Sequence, residues 1–367
     1  MNTAEFLQIS SAVVPDREAL VCGEQRITYA EMATRVNRLA NALLSRGVQQ
    51  GTKVAVMALN SPQYVETYYA CAKIGAVFVP LNYRAKREET VHMLNNSEAS
   101  LLFVGERYVD LARSLQPETP GVKDLVCIDG RVDGMASYDD LLAAGSDEEV
   151  FVPIEEGDAT VLMYTSGTTA LPKGVILTYL TLSVYVVNTM SPADPEAPVE
   201  VTLLSVPVYH VAGLTAIMSS IWGGRKLVIL PQFEPGLWLE AVQKERVTHS
   251  FVVPTMLKRI MEHPDFDRYD LSSLQLITYG AAPMPYEVVR RAVDVFKCGL
   301  MNAYGQTEST STMTYLGPED HRIEGTDEEK EKKLRRLRSV GRPMDDVEIA
   351  IMDPKGNRLG PGEEGEI

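Results

Sequence analysis

Short apolar runs alternate with helix-length amphipathic stretches along most of this chain, and that alternation restricts it to an α/β fold built mainly on parallel strands. Thr28-Tyr29-Ala30-Glu31 is a capping box at the start of a helix. Met32, Val36, Leu39 and Leu43 fall on one face of that helix, and Gly47 closes it. Residues 53–59 form an apolar strand, and Ser61-Pro62 opens the next helix with proline at its tolerated first position. Gly75 ends that helix, 76–79 is a strand, and a helix near 88–94 leads into the strand 101–104. The pattern resumes with strands at 159–164, 201–206, 226–230, 247–253, 274–279 and 300–304. A chain of 367 residues is too long for one simple core. We therefore expect two α/β subdomains, residues 1–157 and 158–338, with a smaller β subdomain beginning at 339–367. The stretch 118–157, rich in glycine, proline and acidic residues, is the expected connection.

The strand at 159–164 runs into Thr165-Ser166-Gly167-Thr168-Thr169-Ala170-Leu171-Pro172-Lys173-Gly174. Glycine lets a backbone come close to an anion, and successive N–H groups in such a turn make an anion-binding nest. The hydroxyls add donors and Lys173 adds a mobile point charge. The loop suits a polyphosphate, although Lys173 is followed by Gly174 and so departs from the common G-x-x-x-x-G-K-[ST] spacing. A merely solvated turn would account for an isolated Thr-Ser-Gly, but not as well for ten residues of this composition behind an apolar strand.

Charge narrows the partners. The formal net charge of −15 disfavours nucleic acid and anionic membrane, both of which select a basic face. Phosphates must then be met by local groups. Hydrophobic residues at 45% and charged residues at 23% are ordinary for a soluble globular protein. Cys22, Cys71, Cys127 and Cys298 are far apart, without C-x-x-C, and read as free thiols. The first residues lack a signal-peptide pattern and no apolar run reaches membrane-span length, so a cytoplasmic location is expected. Residues 326–338 form a charge run that reads as a solvated helix or loop, with Glu328–Lys332 and Glu329–Lys333 as i,i+4 pairs.

The phosphate loop resembles the Y-T-S-G-T-T-G-x-P-K-G signature of the adenylate-forming superfamily. Three further segments resemble that family's motifs in its order: Tyr279-Gly280-Ala281-Ala282-Pro283, Asn302-Ala303-Tyr304-Gly305-Gln306-Thr307-Glu308 and Ser339-Val340-Gly341-Arg342-Pro343. The resemblance covers essentially the whole chain and is greatest to acyl-CoA synthetases. It implies that Thr165, Ser166, Gly167, Thr168, Thr169 and Lys173 hold the β- and γ-phosphates of ATP, that Thr307 contacts the α-phosphate, and that Glu308 binds Mg²⁺, a hard cation suited to a carboxylate. It also implies that Tyr304 stacks on adenine, that Gly280, Ala281 and Ala282 border the adenine and the acyl group, and that Asn302, Ala303 and Gly305 belong to the nucleotide site.

Pro207-Val208-Tyr209-His210-Val211-Ala212-Gly213-Leu214 resembles the acyl-CoA synthetase segment that gates and lines the acid tunnel, with His210 at the gate and Val211, Gly213 and Leu214 leaving room for an alkyl chain or ring. No acidic residue lies between Ser205 and Trp222 to pair with an amino-acid ammonium, which favours an apolar carboxylic acid. The expected activity is ATP-dependent conversion of a fatty or aromatic acid to an acyl-adenylate and then to an acyl-CoA, with Lys173, Thr307, Glu308 and His210 as the catalytic candidates. The alternatives are an enzyme loading an acyl carrier protein and a nucleotide- and acid-binding fragment without turnover. Two positions depart from the family pattern: Ala170 replaces a glycine and Tyr179 a histidine. The resemblance further implies a T-G-D segment and a small C-terminal domain beyond Ile367, so a truncated enzyme with impaired thioester formation is expected, along with a possible homodimer.

Overall fold

The computed structural model describes residues 2–165 and 171–367. Among the described residues, two sheets are flanked by helices. A seven-stranded sheet contains β3 (Lys53–Met57), β4 (Val77–Pro80), β5 (Leu101–Val104), β6 (Asp124–Cys127), β7 (Ala136–Ser137), β8 (Ala159–Thr165) and β9 (Lys173–Thr178), in the spatial order β7-β6-β5-β3-β4-β8-β9. A nine-stranded sheet contains β1 (Glu18–Cys22), β2 (Gln25–Thr28), β10 (Val201–Leu204), β11 (Lys226–Ile229), β12 (His249–Val252), β13 (Leu276–Gly280), β14 (Gly299–Gly305), β15 (Thr312–Leu316) and β16 (Arg342–Pro343). Its order is β16-β15-β14-β13-β12-β10-β11-β1-β2. Most pairings are parallel; the β1–β2, β8–β9, β14–β15 and β15–β16 pairs are antiparallel.

The local signals act as their chemistry dictates. Thr28 and Glu31 satisfy each other's backbone N–H groups at the start of the helix Tyr29–Ser45, whose buried face carries Met32, Val36, Leu39 and Leu43. The Ser61 hydroxyl accepts from the Tyr64 N–H at 3.1 Å and Pro62 occupies the first turn of the helix Pro62–Lys73. Strands β4 and β5 are buried at every residue, as strands covered by helices on both faces must be.

The sheets do not follow the expected division at residue 157. Strand β8, which carries the phosphate loop, pairs with β4 of the first sheet, Phe78 opposite Val161. Conversely β1, from the N-terminal segment, pairs with β11, Leu20 opposite Leu227. Sequence order gave no sign of this exchange because a parallel strand is compatible with any covered sheet. The expected start of a β subdomain also differs: β16 pairs with β15 in the large sheet, and beyond it only isolated bridges join Met352 to Arg358 and Glu366.

The charge run does form a solvated helix, Asp327–Arg336, with no buried residue. Its expected i,i+4 pairs do not form. The Glu329 carboxylate accepts from the Thr326 N–H and hydroxyl, and the Lys333 ammonium donates to the Arg322 carbonyl at 2.8 Å. All four cysteines are free, Cys71 and Cys127 buried. No described helix is long and apolar enough to cross a membrane.

Candidate active site

The carboxyl ends of strands from both sheets open onto one cavity of ≈ 820 Å³. This is where ligands bind in open α/β sheets. Its walls come from the segments after β3 (Asn60), β4 (Asn82 to Ala85), β8 (Thr165, Leu171, Pro172), β10 (Ser205 to Ala212), β11 (Pro231 to Phe233), β12 (Val253 to Arg259), β13 (Ala281) and β14 (Gly305 to Glu308).

Among the described residues, the side chains of His92 and Tyr164 anchor the phosphate-loop side. The His92 Nε2–H donates to the Pro172 carbonyl at 3.0 Å, and the Tyr164 hydroxyl donates to Asn96 Oδ1 at 2.7 Å. Ser166, Gly167, Thr168 and Thr169, with the departure at Ala170, lie outside the described residues. Lys173 begins β9 directly across from Thr165, is exposed, and makes no ion pair among the described residues. It does not itself line the cavity.

Thr307 and Glu308 do line it, on a 3-10 turn, Thr307–Ser309, that follows β14. The Glu308 carboxylate is exposed and has no ion-pair partner among the described residues. A single free carboxylate fits Mg²⁺ shared with phosphate oxygens and water, the usual mode for nucleotide-bound magnesium. No described group of three or more His, Cys, Asp or Glu forms a metal cage.

The adenine-side residues divide. Ala281 lines the cavity with φ +62°, in the left-handed region, where a non-glycine residue carries strain of about 1 kcal/mol. Gly280 does not line it; a Cβ there would lie 2.1 Å from the Ala303 carbonyl oxygen, so glycine is required for β13 to sit against β14. Ala282, Asn302, Ala303 and Tyr304 are also outside the cavity wall. Asn302 and Tyr304 share one face of β14 by strand alternation. On that face the Asn302 amide donates to the Ser339 carbonyl at 3.3 Å.

On the acid side, His210, Val211 and Ala212 line the cavity with Phe251, Val253 and Met256. His210 opens to solvent through the cavity, yet flanking walls desolvate its ring and lower its pKa, with Arg84 adding a smaller push in the same direction. The imidazole is therefore neutral near pH 7. Its ring lies 4.5 Å from Tyr209, which meets Tyr83 edge-on at 5.2 Å. Burial raises the Tyr209 hydroxyl to about 12.

Gly213 and Leu214 do not line the cavity. Both are buried in the helix Val211–Trp222. A Cβ on Gly213 would lie 2.4 Å from the Pro207 carbonyl oxygen, so this glycine makes space for its own chain rather than for a ligand. Tyr179, at the position of the family histidine, is a core residue whose hydroxyl donates to the Ala72 carbonyl at 2.7 Å.

The sequence reading missed Asn60, Arg84, Phe233 and Arg259, all on the wall. Each cation lies over an aromatic ring, Arg84 over Tyr83 at 5.5 Å and Arg259 over Phe233 at 5.3 Å. The signal that could have found Asn60 was its place just past an apolar strand.

The model of the AMP-binding enzyme family matches residues 7–367. This chain belongs to the AMP-binding enzyme family. Among its relatives is a feruloyl-CoA synthase from an Amycolatopsis species, 34% identical over 354 residues, an alignment covering 96% of this chain and 66% of that protein. Another is an indoleacetate–CoA ligase from Aromatoleum aromaticum, 32% identical over 372 residues, covering 100% and 69%. The chain thus spans about two thirds of the length of these AMP-binding relatives. Among solved structures, the N-terminal domain of FACL13 from Mycobacterium tuberculosis superposes with a TM-score of 0.85 at 27% identity, covering 98% of this chain and 86% of that one. The two-sheet architecture is thus that of the N-terminal part of an AMP-binding enzyme.

Proposed function

We propose that this protein activates an apolar carboxylic acid, fatty or aromatic, by adenylation with ATP, and that the whole enzyme then transfers the acyl group to the thiol of CoA. One observation carries the reading: a single cavity holds the exit of the phosphate loop, the Thr307-Glu308 turn and an apolar wall of Val211, Ala212, Phe251, Val253 and Met256. A triphosphate and an apolar acid fit side by side in such a space.

In the first step a carboxylate oxygen of the acid attacks the α-phosphorus, and the bond from that phosphorus to the bridging oxygen breaks. Pyrophosphate leaves and an acyl-adenylate remains. In the second step the CoA thiol gives up its proton to solvent, its sulfur bonds to the acyl carbon, the bond from that carbon to the phosphate oxygen breaks and AMP leaves. Repulsion between carboxylate and phosphate is the obstacle, so this chain's residues act by positioning and by placing donors where charge accumulates. Thr307 donates to the α-phosphate. Thr165 and Lys173 belong to the loop that holds the outer phosphates. Glu308 would hold a Mg²⁺ ion, which when bound would neutralise phosphate charge. Neutral His210 and its aromatic neighbours gate the acid without offering it a counter-charge.

The acid class is supported by the charged groups on the wall. Its carboxylates are Glu89 and Glu308, and Glu89 already accepts from the Lys86 N–H at 2.7 Å. No carboxylate among the described residues stands on the acid side to hold an ammonium group. The names of the aryl-CoA-forming relatives point the same way.

The test is mass spectrometry of the native protein after incubation with ATP, Mg²⁺ and a panel of straight-chain and aromatic acids, together with a pyrophosphate assay. Retention of one acid as its adenylate, with pyrophosphate released, is expected. Bound ATP with neither product, for every acid in the panel, overturns the reading.

A further inference from the structure

We infer that Asn60 is a positioning residue that locks the turn carrying His210 and so shapes the acid side of the cavity, a role that rests on the acid-activating reading above. Asn60 follows β3 in the seven-stranded sheet and is 4% exposed. Its three hydrogen bonds all cross to the nine-stranded sheet. The Nδ2 group donates to the Val206 carbonyl at 3.0 Å and to the Leu230 carbonyl at 3.2 Å. Oδ1 accepts from the Val208 N–H at 3.1 Å.

These partners are backbone groups just past the ends of β10 and β11, where the ladder has stopped, and a buried backbone group must find a partner. One side-chain amide supplies three. It does so in only one orientation, because a flipped amide would set its oxygen against two carbonyls. An aspartate has the same shape and lacks both donors.

The consequence passes along five residues. Val206 and Val208 bracket Pro207, whose carbonyl accepts from the His210 N–H at 3.2 Å. The His210 carbonyl in turn accepts from the Gly213 N–H at 2.9 Å and starts the helix Val211–Trp222. Fixing the peptides of Val206 and Val208 therefore fixes where Tyr209 and His210 point. Asn60 and Val206 also border the cavity themselves.

The experiment uses the full chain and compares Asn60→Ala, Asn60→Asp and the milder Asn60→Ser with a control. Asn41→Ala removes a comparable staple away from the site, where the Asn41 amide donates to the carbonyls of Asn37 at 3.1 Å, Ser146 at 2.9 Å and Glu148 at 3.0 Å. Two readouts are taken: the imidazole resonances of His210, one of five histidines, at fixed pH, and calorimetric affinities for ATP and for a non-hydrolysable acyl-adenylate analogue. All Asn60 variants should shift the His210 resonances. Asn60→Ala and Asn60→Asp should lose about tenfold or more in analogue affinity, the size set by orphaned buried polar groups, with Asn60→Ser in between. ATP affinity should hold, and Asn41→Ala should lower the melting temperature with neither change. Unmoved His210 resonances in Asn60→Ser and its companions, or the same shifts in Asn41→Ala, overturn the inference. A wild-type protein that binds no analogue defeats the functional reading instead, while the His210 resonances still decide the role of Asn60.

Discussion

Arg26 grips Glu245 with both guanidinium arms, at 2.7 and 3.2 Å, tying the edge strand β2 to the end of the helix Pro235–Glu245. Lys226 reaches the same carboxylate at 3.0 Å. The hydrogen bond from Arg26, then those contacts from Lys226, hold the Glu245 pKa down at about 2. In the unfolded chain it returns to about 4.3.

A depressed folded pKa gives stability that is complete above the unfolded pKa and is lost as pH falls through the folded one. Glu245 therefore contributes an acid limb between about pH 4.5 and pH 2, worth on the order of 2–3 kcal/mol. Urea unfolding across that range should show the gap between wild type and Glu245→Gln closing as pH falls. A gap that stays constant down to pH 2 would contradict this assignment.

Arg35 and Glu66 form a buried counterpart. Arg35 Nε and Nη2 meet the carboxylate at 2.5 and 3.0 Å, Tyr138 donates to it at 2.5 Å, and Glu66 has no exposure. Burial pushes this carboxyl up while Arg35 and Tyr138 pull it back. Arg35→Met should cost about 3–5 kcal/mol, because it strands a buried acid. Denaturant midpoints at unchanged m report it; a loss under 1 kcal/mol speaks against the pairing as described.

Gly213→Ala should destabilise the protein by about 1–3 kcal/mol through overpacking against the Pro207 carbonyl. Thermal unfolding measures this directly. Wild-type stability combined with a narrowed range of bound acids would restore Gly213 to the tunnel and remove it from the turn.

Lys173→Ala should weaken ATP binding by about tenfold to a hundredfold, the worth of one charged hydrogen bond, and leave the circular dichroism spectrum intact. Lys173 is exposed and unpaired among the described residues, so no fold contact is lost with it. Calorimetry with ATP decides, and equal affinities would take Lys173 out of the phosphate site.

What the sequence made legible was local and motif-borne. The capping box at Thr28 and Glu31, the Ser61-Pro62 helix start and the strands β3 to β5 lie within a residue or two of their expected places because each is dictated by its own neighbours. Thr165, His210, Val211, Ala281, Gly305, Thr307 and Glu308 converge on one cavity because motifs after parallel strands end up on the same side of a sheet. Asn60 and Arg259 were not legible, since their importance depends on which strand ends face each other. Gly213 misled for a related reason: a glycine that clears a ligand and one that clears its own backbone look the same in one dimension.

The exchange of strands between the sheets bears on how this chain becomes native. The β1–β2 hairpin completes a sheet whose other strands begin at Val201, and β8 and β9 complete one that began at Lys53. Closing Leu20 onto Leu227 spans more than half the chain, a contact of the kind that slows folding. The seven-stranded sheet has all its strands once synthesis has passed Thr178, whereas β1 and β2 wait for β11 at Lys226–Ile229 and the nine-stranded sheet is not complete until β16 at Arg342–Pro343. Cutting between residues 157 and 158 should therefore yield two pieces, one without β8 and β9 and the other without β1 and β2, that need each other to regain structure.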